Sequence, residues 1–423
     1  MGKIRLMVAI EHIEAVPGLS GYYCHDQVAI QREPGQDGFI YEGEPVTEGF
    51  QRIQEPGESI CVLLKLSNGR TAKGDCVAVV FSGIAGRNPL FDPNDHIPVI
   101  EDELASVLQG RPAAAFEDNV VLLEEFKTAA GERLHTAVRY GVSQALLDAA
   151  AIATKTTKAG VLADAYGTVV ADEPVPLYAQ SGANHYENAD KMILKTVDVL
   201  PHGSFHNRDE IGEEGGELLQ YTRWLSDRVS RVGDEGYSPR IHLDVYGQLG
   251  KVHDPSTEME QLLAYLEKLQ AAASPYPLTV EAPIHRENRE SQLRLMSRLR
   301  SRLAEQSLSI EIAADEWCNT LADVRAFADA EAVDLVQVKM PDVGEIHRSM
   351  EAVLYCEGTS VDAFLGGSAN ETDLSARCSA HVALASDPSY VLAKPGVSVD
   401  ESLLIVENEM RRVVARHHSS VAE

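Results

Sequence analysis

The chain has 423 residues, 44% of them hydrophobic, and a formal net charge of −28. That much apolar material supports a sizeable core spread over about two or three domains and excludes a disordered chain. A surface so acidic repels phosphate, which argues against nucleic acid and anionic membranes as partners.

The N-terminal stretch MGKIRLMVAIEHIEAVPG breaks its apolar run with Glu11 and His12, too early for a signal peptide. Leu6 stands where a myristoylation signal needs Ser or Thr. No apolar run approaches the roughly 20 residues of a membrane span, so a cytoplasmic protein is expected. Cys24, Cys61, Cys76, Cys318, Cys356 and Cys378 form no C-x-x-C pair and no zinc spacing, and reduced thiols are expected.

Up to residue 165 the pattern is mixed. KIRLMVAI, ESICVLLKLSNG with its turn at Asn68-Gly69, and TAKGDCVAVVF read as strands, and 99–109 and 132–155 as helices. The expectation is an α+β domain over residues 1–165. From 166 to 423 short apolar runs alternate with longer amphipathic segments. Eight strand candidates follow: PLYAQSG, KMILKTVDVLPH, RIHLDVYG, LTVEAPI, LSIEIAADE, DLVQVKMPD, VDAFLGG and YVLAKPG. Between them lie helices such as STEMEQLLAYLEKL, with Thr257 and Glu260 as a capping box, and TLADVRAFADA, opened by Thr320. Eight such units fit a (β/α)₈ barrel; a doubly wound open sheet competes, but no G-x-G-x-x-G or P-loop supports it.

The strands carry polar groups in phase. Successive side chains of an extended chain point to opposite faces. In RIHLDVYG, Ile241, Leu243 and Val245 share one face and His242, Asp244 and Tyr246 the other. Glu281 and Asp315 stand likewise opposite the apolar faces of their own strands, and Lys339 shares its face with Leu335 and Gln337. Four consecutive strands thus turn a polar group inward near their C-terminal ends, where barrel enzymes keep their sites. Two like charges about 4 Å apart repel by roughly 4 kcal/mol at an effective dielectric near 20, so three inward carboxylates call for a cation. Oxygen-only ligands favour a hard ion such as Mg²⁺. Any one of these acids alone reads equally as a carboxylate capping a loop, and the lysine as a solvated strand end or an ion-pair partner. Beside a cation in a partly dry pocket, its amine becomes a candidate base for abstracting a proton next to a carboxylate.

At these residues the chain resembles the methylaspartate ammonia-lyase family of the enolase superfamily. The likeness runs through PGLSGYYCHDQVAI, DGFIYEGEPVTEGF, RLHTAVRYGVSQALLDA, AQSG, DVLPH, HLDVYG, ADEWCNT, VQVKMPD, NET at 370–372 and VLAKPG. The resemblance implies a capping domain over a TIM-like barrel, a homodimer, Mg²⁺ and a monovalent activator such as K⁺. It implies reversible elimination of ammonia from L-threo-3-methylaspartate, an amino-acid substrate, to give mesaconate, in glutamate breakdown or a biosynthetic route. Asp244, Glu281 and Asp315 would hold the metal, and Lys339 would remove the C3 proton. His202 would stand on the other side of the substrate, and Gln180, Gln337, Ser368 and Ala369 would bind its carboxylates. Without the family, His202 reads as a histidine closing a Pro-containing turn, and the two glutamines as core amides.

The chain departs from the family pattern at Ser368 and Ala369, where a Thr-Cys pair is common, and at Val80, where glutamine is expected. Tyr178 stands where Phe is usual, and Phe364 where Tyr is. These positions are expected around the pocket, which points to a changed preference for the C3 substituent. Acid-sugar dehydration and racemisation share the acids with different bases, and a metal-stabilised scaffold without catalysis shares the metal site. AQSG, DVLPH and VQVKMPD argue against the first pair.

Overall fold

A computed structural model describes residues 7–32, 34–396 and 398–421. Its N-terminal part is a three-stranded antiparallel sheet in the order β1-β4-β5, with β1 at Ile10–His25, β4 at Gln54–Leu66 and β5 at Thr71–Val77. A small ribbon, β2 (Gln36–Asp37) with β3 (Ile40–Tyr41), lies between the first two. The sheet follows the expected alternation, since Ile60, Val62, Leu64 and Leu66 are buried on one face of β4. Gly69, at φ +79°, turns the chain from β4 into β5, and Asn68 Oδ1 accepts the Arg70 N–H at 3.0 Å. Helix Thr136–Thr154 covers the buried face. It comes close because two glycines meet: a Cβ on Gly74 would lie 2.1 Å from the Gly141 carbonyl oxygen.

The C-terminal part is a closed barrel of eight parallel strands: β6 (Leu177–Tyr178), β7 (Val199–Ser204), β8 (Arg240–Asp244), β9 (Leu278–Glu281), β10 (Ile310–Ala314), β11 (Leu335–Val338), β12 (Asp362–Leu365) and β13 (Val391–Leu392). This is the expected TIM-like barrel, with helices alternating between strands. The outward residues Ile241, Leu243, Val280, Ile312, Val336 and Val338 join the large core against those helices. The inward residues Tyr178, Val199, Ala313, Leu335, Phe364, Tyr390 and Leu392 form a second apolar cluster inside the barrel. His242 stacks on Tyr178 in the same layer, with ring centroids 4.5 Å apart.

Several sequence expectations need correction. KMILK is the end of helix His185–Leu194, which buries Ala189, Met192 and Ile193 on one face and pairs Lys191 with Glu187 at 2.9 Å; the strand starts only at Val199, after Thr196 turns at φ +51°. Thr257 and Glu260 make no capping box. Helix Met259–Ala273 has Glu258 at its N-cap without a side-chain bond, because Asp254 organises the preceding turn and accepts the Ser256 N–H at 3.0 Å. Thr320 does cap its helix, reciprocally with Asp323. The segment expected at 99–109 begins earlier, at Pro93, and passes through a π turn at Val99–Leu104. The first half of KIRLMVAI, residues 3–6, lies outside the described residues; regular pairing begins at Ile10. All six cysteines are free. Among the described residues, no helix is long and apolar enough to cross a membrane.

Candidate active site

Strand register places the expected residues together. Asp244 ends β8 and pairs in register with Glu281, which ends β9; Glu281 pairs in turn with Ala313 of β10. Asp315 follows β10 by one residue and Lys339 follows β11 by one. After β8, β9 and β10 the backbone bends sharply at Tyr246, Ala282 and Trp317, and within β7 at His202, all with positive φ between +45° and +64°; at the exit of β11 Lys339 keeps φ −81°. A left-handed non-glycine residue is uncommon and clusters at functional sites. Here the bend turns the chain away just after Asp244, Glu281 and Asp315.

Most of these groups open into a cavity of about 340 Å³ between barrel and N-terminal sheet; Glu281 is buried behind Asp244 and does not line it. Asp244, Asp315, Gln180, Gln337, His202, Lys339, Ser368 and Ala369 line it, with Val80 contributed from beyond β5. Tyr178 and Phe364 do not line it. They belong to the apolar layer beneath, so two of the departures expected around the pocket lie in its floor instead.

The carboxylates divide into two environments. His202 Nε2, Asp244 and Glu281 offer ligand atoms all within 4.8 Å of one another, and all three residues are buried. Burial first, and the neighbouring Glu316 and Asp315 next, push the Asp244 carboxyl well above its usual range. Glu281 is pushed the same way by burial, then by Asp244 and Asp315. Its Oε1 accepts from Gln337 Nε2. Its Oε2 lies 2.8 Å from His242 Nε2, yet off-line for a hydrogen bond, so both atoms stay without a partner. An orphaned carboxylate oxygen among raised, buried acids is what a hard cation would satisfy, and the donor set fits Mg²⁺.

Asp315 stands apart from that trio. Lys339 Nζ donates to its Oδ2 at 2.6 Å and Arg87 Nη2 to its Oδ1 at 3.3 Å. Burial would raise its carboxyl, but Lys339 and Arg87 outweigh this and hold it below the usual range. Lys339 is affected reciprocally. Burial pulls its ammonium down most, and Asp315, Asp342 and Glu316 more than restore it. The protein charges alone therefore favour the charged amine, because Asp315 is turned toward it; the neutral amine expected from the sequence is one standing beside a bound cation. His202, pulled down to about 4 by burial and by Lys339, is a neutral imidazole, and its Nδ1 has no partner. Gln180 Nε2 is likewise a buried donor without a partner, at the cavity wall. Ser368 Oγ accepts from the N–H groups of Val80 and Asn370 at 3.2 and 3.3 Å.

Comparison with known proteins decides the family. The model described as the methylaspartate ammonia-lyase N-terminus matches residues 8–167, and its C-terminus counterpart matches residues 169–419. The chain belongs to the methylaspartate ammonia-lyase family. It is an enzyme, a carbon–nitrogen lyase. Methylaspartate ammonia-lyase of Haloarcula marismortui is 51% identical over 413 residues, 97% of this chain and 98% of that one. The crystal structure of β-methylaspartase from Clostridium tetanomorphum as an Mg complex matches with TM-score 0.90 and 42% identity, covering 97% of this chain and 100% of that one. The Citrobacter amalonaticus methylaspartate ammonia-lyase containing (2S,3S)-3-methylaspartic acid matches with TM-score 0.93 at 42% identity, with the same coverage.

Seen within the methylaspartate ammonia-lyase fold, three features escaped the sequence reading. Arg87, its side chain 1% exposed, reaches from the N-terminal part to Asp342 at 2.8 Å as well as to Asp315. Its setting, SGIAGRNP, shows only a glycine-flanked loop. His242 sits between Glu281 and Tyr390, whose hydroxyl is 2.9 Å from Nδ1; its in-phase position beside Asp244 was visible, its contact was not. Lys394 and Glu371 form an ion pair at 3.0 Å. A lysine in the apolar run YVLAKPG was the available signal.

Proposed function

We propose that this enzyme eliminates ammonia from L-threo-3-methylaspartate to give mesaconate, with Mg²⁺ held by Asp244 and Glu281, and by Asp315 once its carboxylate turns from Lys339 to the ion and leaves that amine free. The observation that carries the reading is the placement of three acids and Lys339 at the C-terminal ends of four successive strands, with Asp244, Asp315 and Lys339 lining one cavity and Glu281 buried beside Asp244. The Mg complex and the bound 3-methylaspartic acid of the two similar structures support it. When bound, Mg²⁺ draws charge toward the substrate carboxylate next to C3 and makes the C3 proton easier to remove. Lys339 Nζ, as the free amine, takes that proton; the C–H electron pair forms the C2=C3 double bond, and the C2–N bond breaks to release ammonia. Gln180 and Gln337 hold the carboxylates through their amides, Ser368 and Ala369 meet one carboxylate from the loop after β12, and His202 flanks the substrate as a neutral imidazole. K⁺ activation and a homodimer belong to the same proposal. The test is incubation with L-threo-3-methylaspartate, Mg²⁺ and K⁺, following ultraviolet absorbance of the unsaturated product. A rise that EDTA removes and Mg²⁺ restores is expected; no rise overturns the assignment.

Val80, Ser368 and Ala369 all line the cavity, which favours a shifted preference for the C3 substituent within this reaction. Comparing kcat/KM for aspartate, 3-methylaspartate and 3-ethylaspartate tests this. An unchanged preference for the methyl compound removes it.

A further inference from the structure

Beneath the loop Gly366–Glu371 lies an ion pair that the elimination chemistry does not use. Lys394 and Glu371 are both 0% exposed, with Nζ 3.0 Å from Oε2. A buried pair of this kind is a poor source of stability compared with well-packed apolar residues, which directs attention to what it shapes. Every contact of the pair leads to the loop or to the N-terminal part. Lys394 Nζ donates to the Gly366 carbonyl at 2.6 Å, and the Ser368 N–H donates to Glu371 Oε2 at 3.3 Å. Tyr140, on the helix that covers the N-terminal sheet, donates its hydroxyl to Glu371 Oε1 at 2.5 Å. The loop is wound tightly on the pair: a Cβ at Gly367 would lie 2.2 Å from Glu371 Oε2 and 2.6 Å from Lys394 Nζ. Its opposite side, at Gly367, Ser368 and Ala369, faces the catalytic cavity.

We propose that Lys394, Glu371 and Tyr140 are positioning residues that set the Gly366–Ala369 backbone against the substrate carboxylate and tie it to the N-terminal helix. The inference rests on the proposed elimination, in which Ser368 and Ala369 meet that carboxylate. None of the three touches the reacting atoms, so their loss weakens substrate binding and leaves both the metal site and the base in place.

The test replaces the pair together, Lys394→Met with Glu371→Gln, so that neither charge is left buried alone. KM for L-threo-3-methylaspartate is expected to rise about tenfold, with kcat within about threefold of the wild type. Mg²⁺ affinity, measured by calorimetry without substrate, is expected to stay within about twofold. A merely structural role would lower the active fraction, and with it kcat, at constant KM; that outcome, or an unchanged KM in a folded double variant, overturns the proposal. If the double variant does not fold, Tyr140→Phe decides, since it removes a single hydroxyl: a KM rise of about threefold supports the proposal and an unchanged KM overturns it. Wild-type turnover measured alongside separates failure here from failure of the proposed reaction.

Discussion

Replacing Arg87 with methionine removes the cation that joins the N-terminal part to the barrel while nearly keeping its volume. Its guanidinium is buried, 2.8 Å from Asp342, 3.3 Å from Asp315 and 3.8 Å from Glu316. Breaking a buried pair typically costs about 3–5 kcal/mol, since the remaining charge is left uncompensated. Asp315 keeps Lys339 at 2.6 Å, so the expected loss sits at the lower end, about 3 kcal/mol. Urea unfolding at pH 7.5 reads this out, and Trp317, packed near the Arg87 loop at Gly86, supplies a local fluorescence probe. Arg87→Lys keeps the charge without the planar fork and is expected to lose about half as much. The pH dependence has a definite sign. Asp315 is held below its ordinary value of 3.8 by Lys339 and Arg87, so its share of stability is present above that pH and fades as pH falls through the lowered value. The difference between wild type and Arg87→Met should therefore be full at pH 7.5 and narrow in acid. A loss under about 0.5 kcal/mol at pH 7.5 would refute the reasoning, because it would mean that these carboxylates do not depend on the guanidinium.

Other perturbations address separate parts of the molecule. Lys339→Ala should abolish hydrogen–deuterium exchange at C3 of the substrate while calorimetric Mg²⁺ binding persists; retained exchange would remove Lys339 as the base. His135, pulled down to about 4 by burial, accepts the Ala137 N–H at Nδ1 and faces the Pro89 carbonyl through Nε2. The unfolded chain binds the extra proton between about pH 6.5 and 4, so this contribution, at most about 3 kcal/mol, is complete above that window and lost on acidification through it. Melting temperatures from pH 7.5 to 4.5 should fall less steeply in His135→Asn, and parallel curves would sink the idea. Gly74→Ala forces a Cβ onto the Gly141 carbonyl oxygen and should cost about 1–3 kcal/mol in urea unfolding. Gly216→Ala, at the start of a helix with nothing within 4 Å, should be neutral or slightly stabilising; equal losses at both glycines would contradict the packing argument.

The legible part of the site was what a single strand can reveal. Asp244, Glu281, Asp315 and Lys339 each stand in phase on their own strand, so period-two patterning located all four before any contact was known. Arg87 was not legible, because it lies 228 residues from Asp315 and belongs to another layer of the fold. Nothing local distinguishes its loop from an ordinary turn. The charge state of Lys339 depends equally on tertiary placement: sequence supplied the amine, and only the structure shows Asp315 turned toward it. Among the elements, consecutive apolar residues misled. Met192, Ile193 and Leu194 look like a strand, yet Met192 and Ile193 are buried while Leu194 is 71% exposed, as one helical face demands. Strands β6 and β13 were found but overestimated in length, since only two residues of each join the barrel.

The aromatic layer across the barrel makes the cavity a blind well. Tyr178, Phe364 and Tyr390 pack ring against ring, with centroids 4.9–5.9 Å apart, and His242 fills the gap under Glu281. Traffic through the bottom of the barrel is closed off, so in the proposed elimination ammonia and the unsaturated product would share the mouth by which the amino acid enters, past Tyr22, Phe39 and Phe81 of the N-terminal part. Order of departure is then a property of that mouth, and changes to its aromatic rim should alter product inhibition before they alter bond breaking.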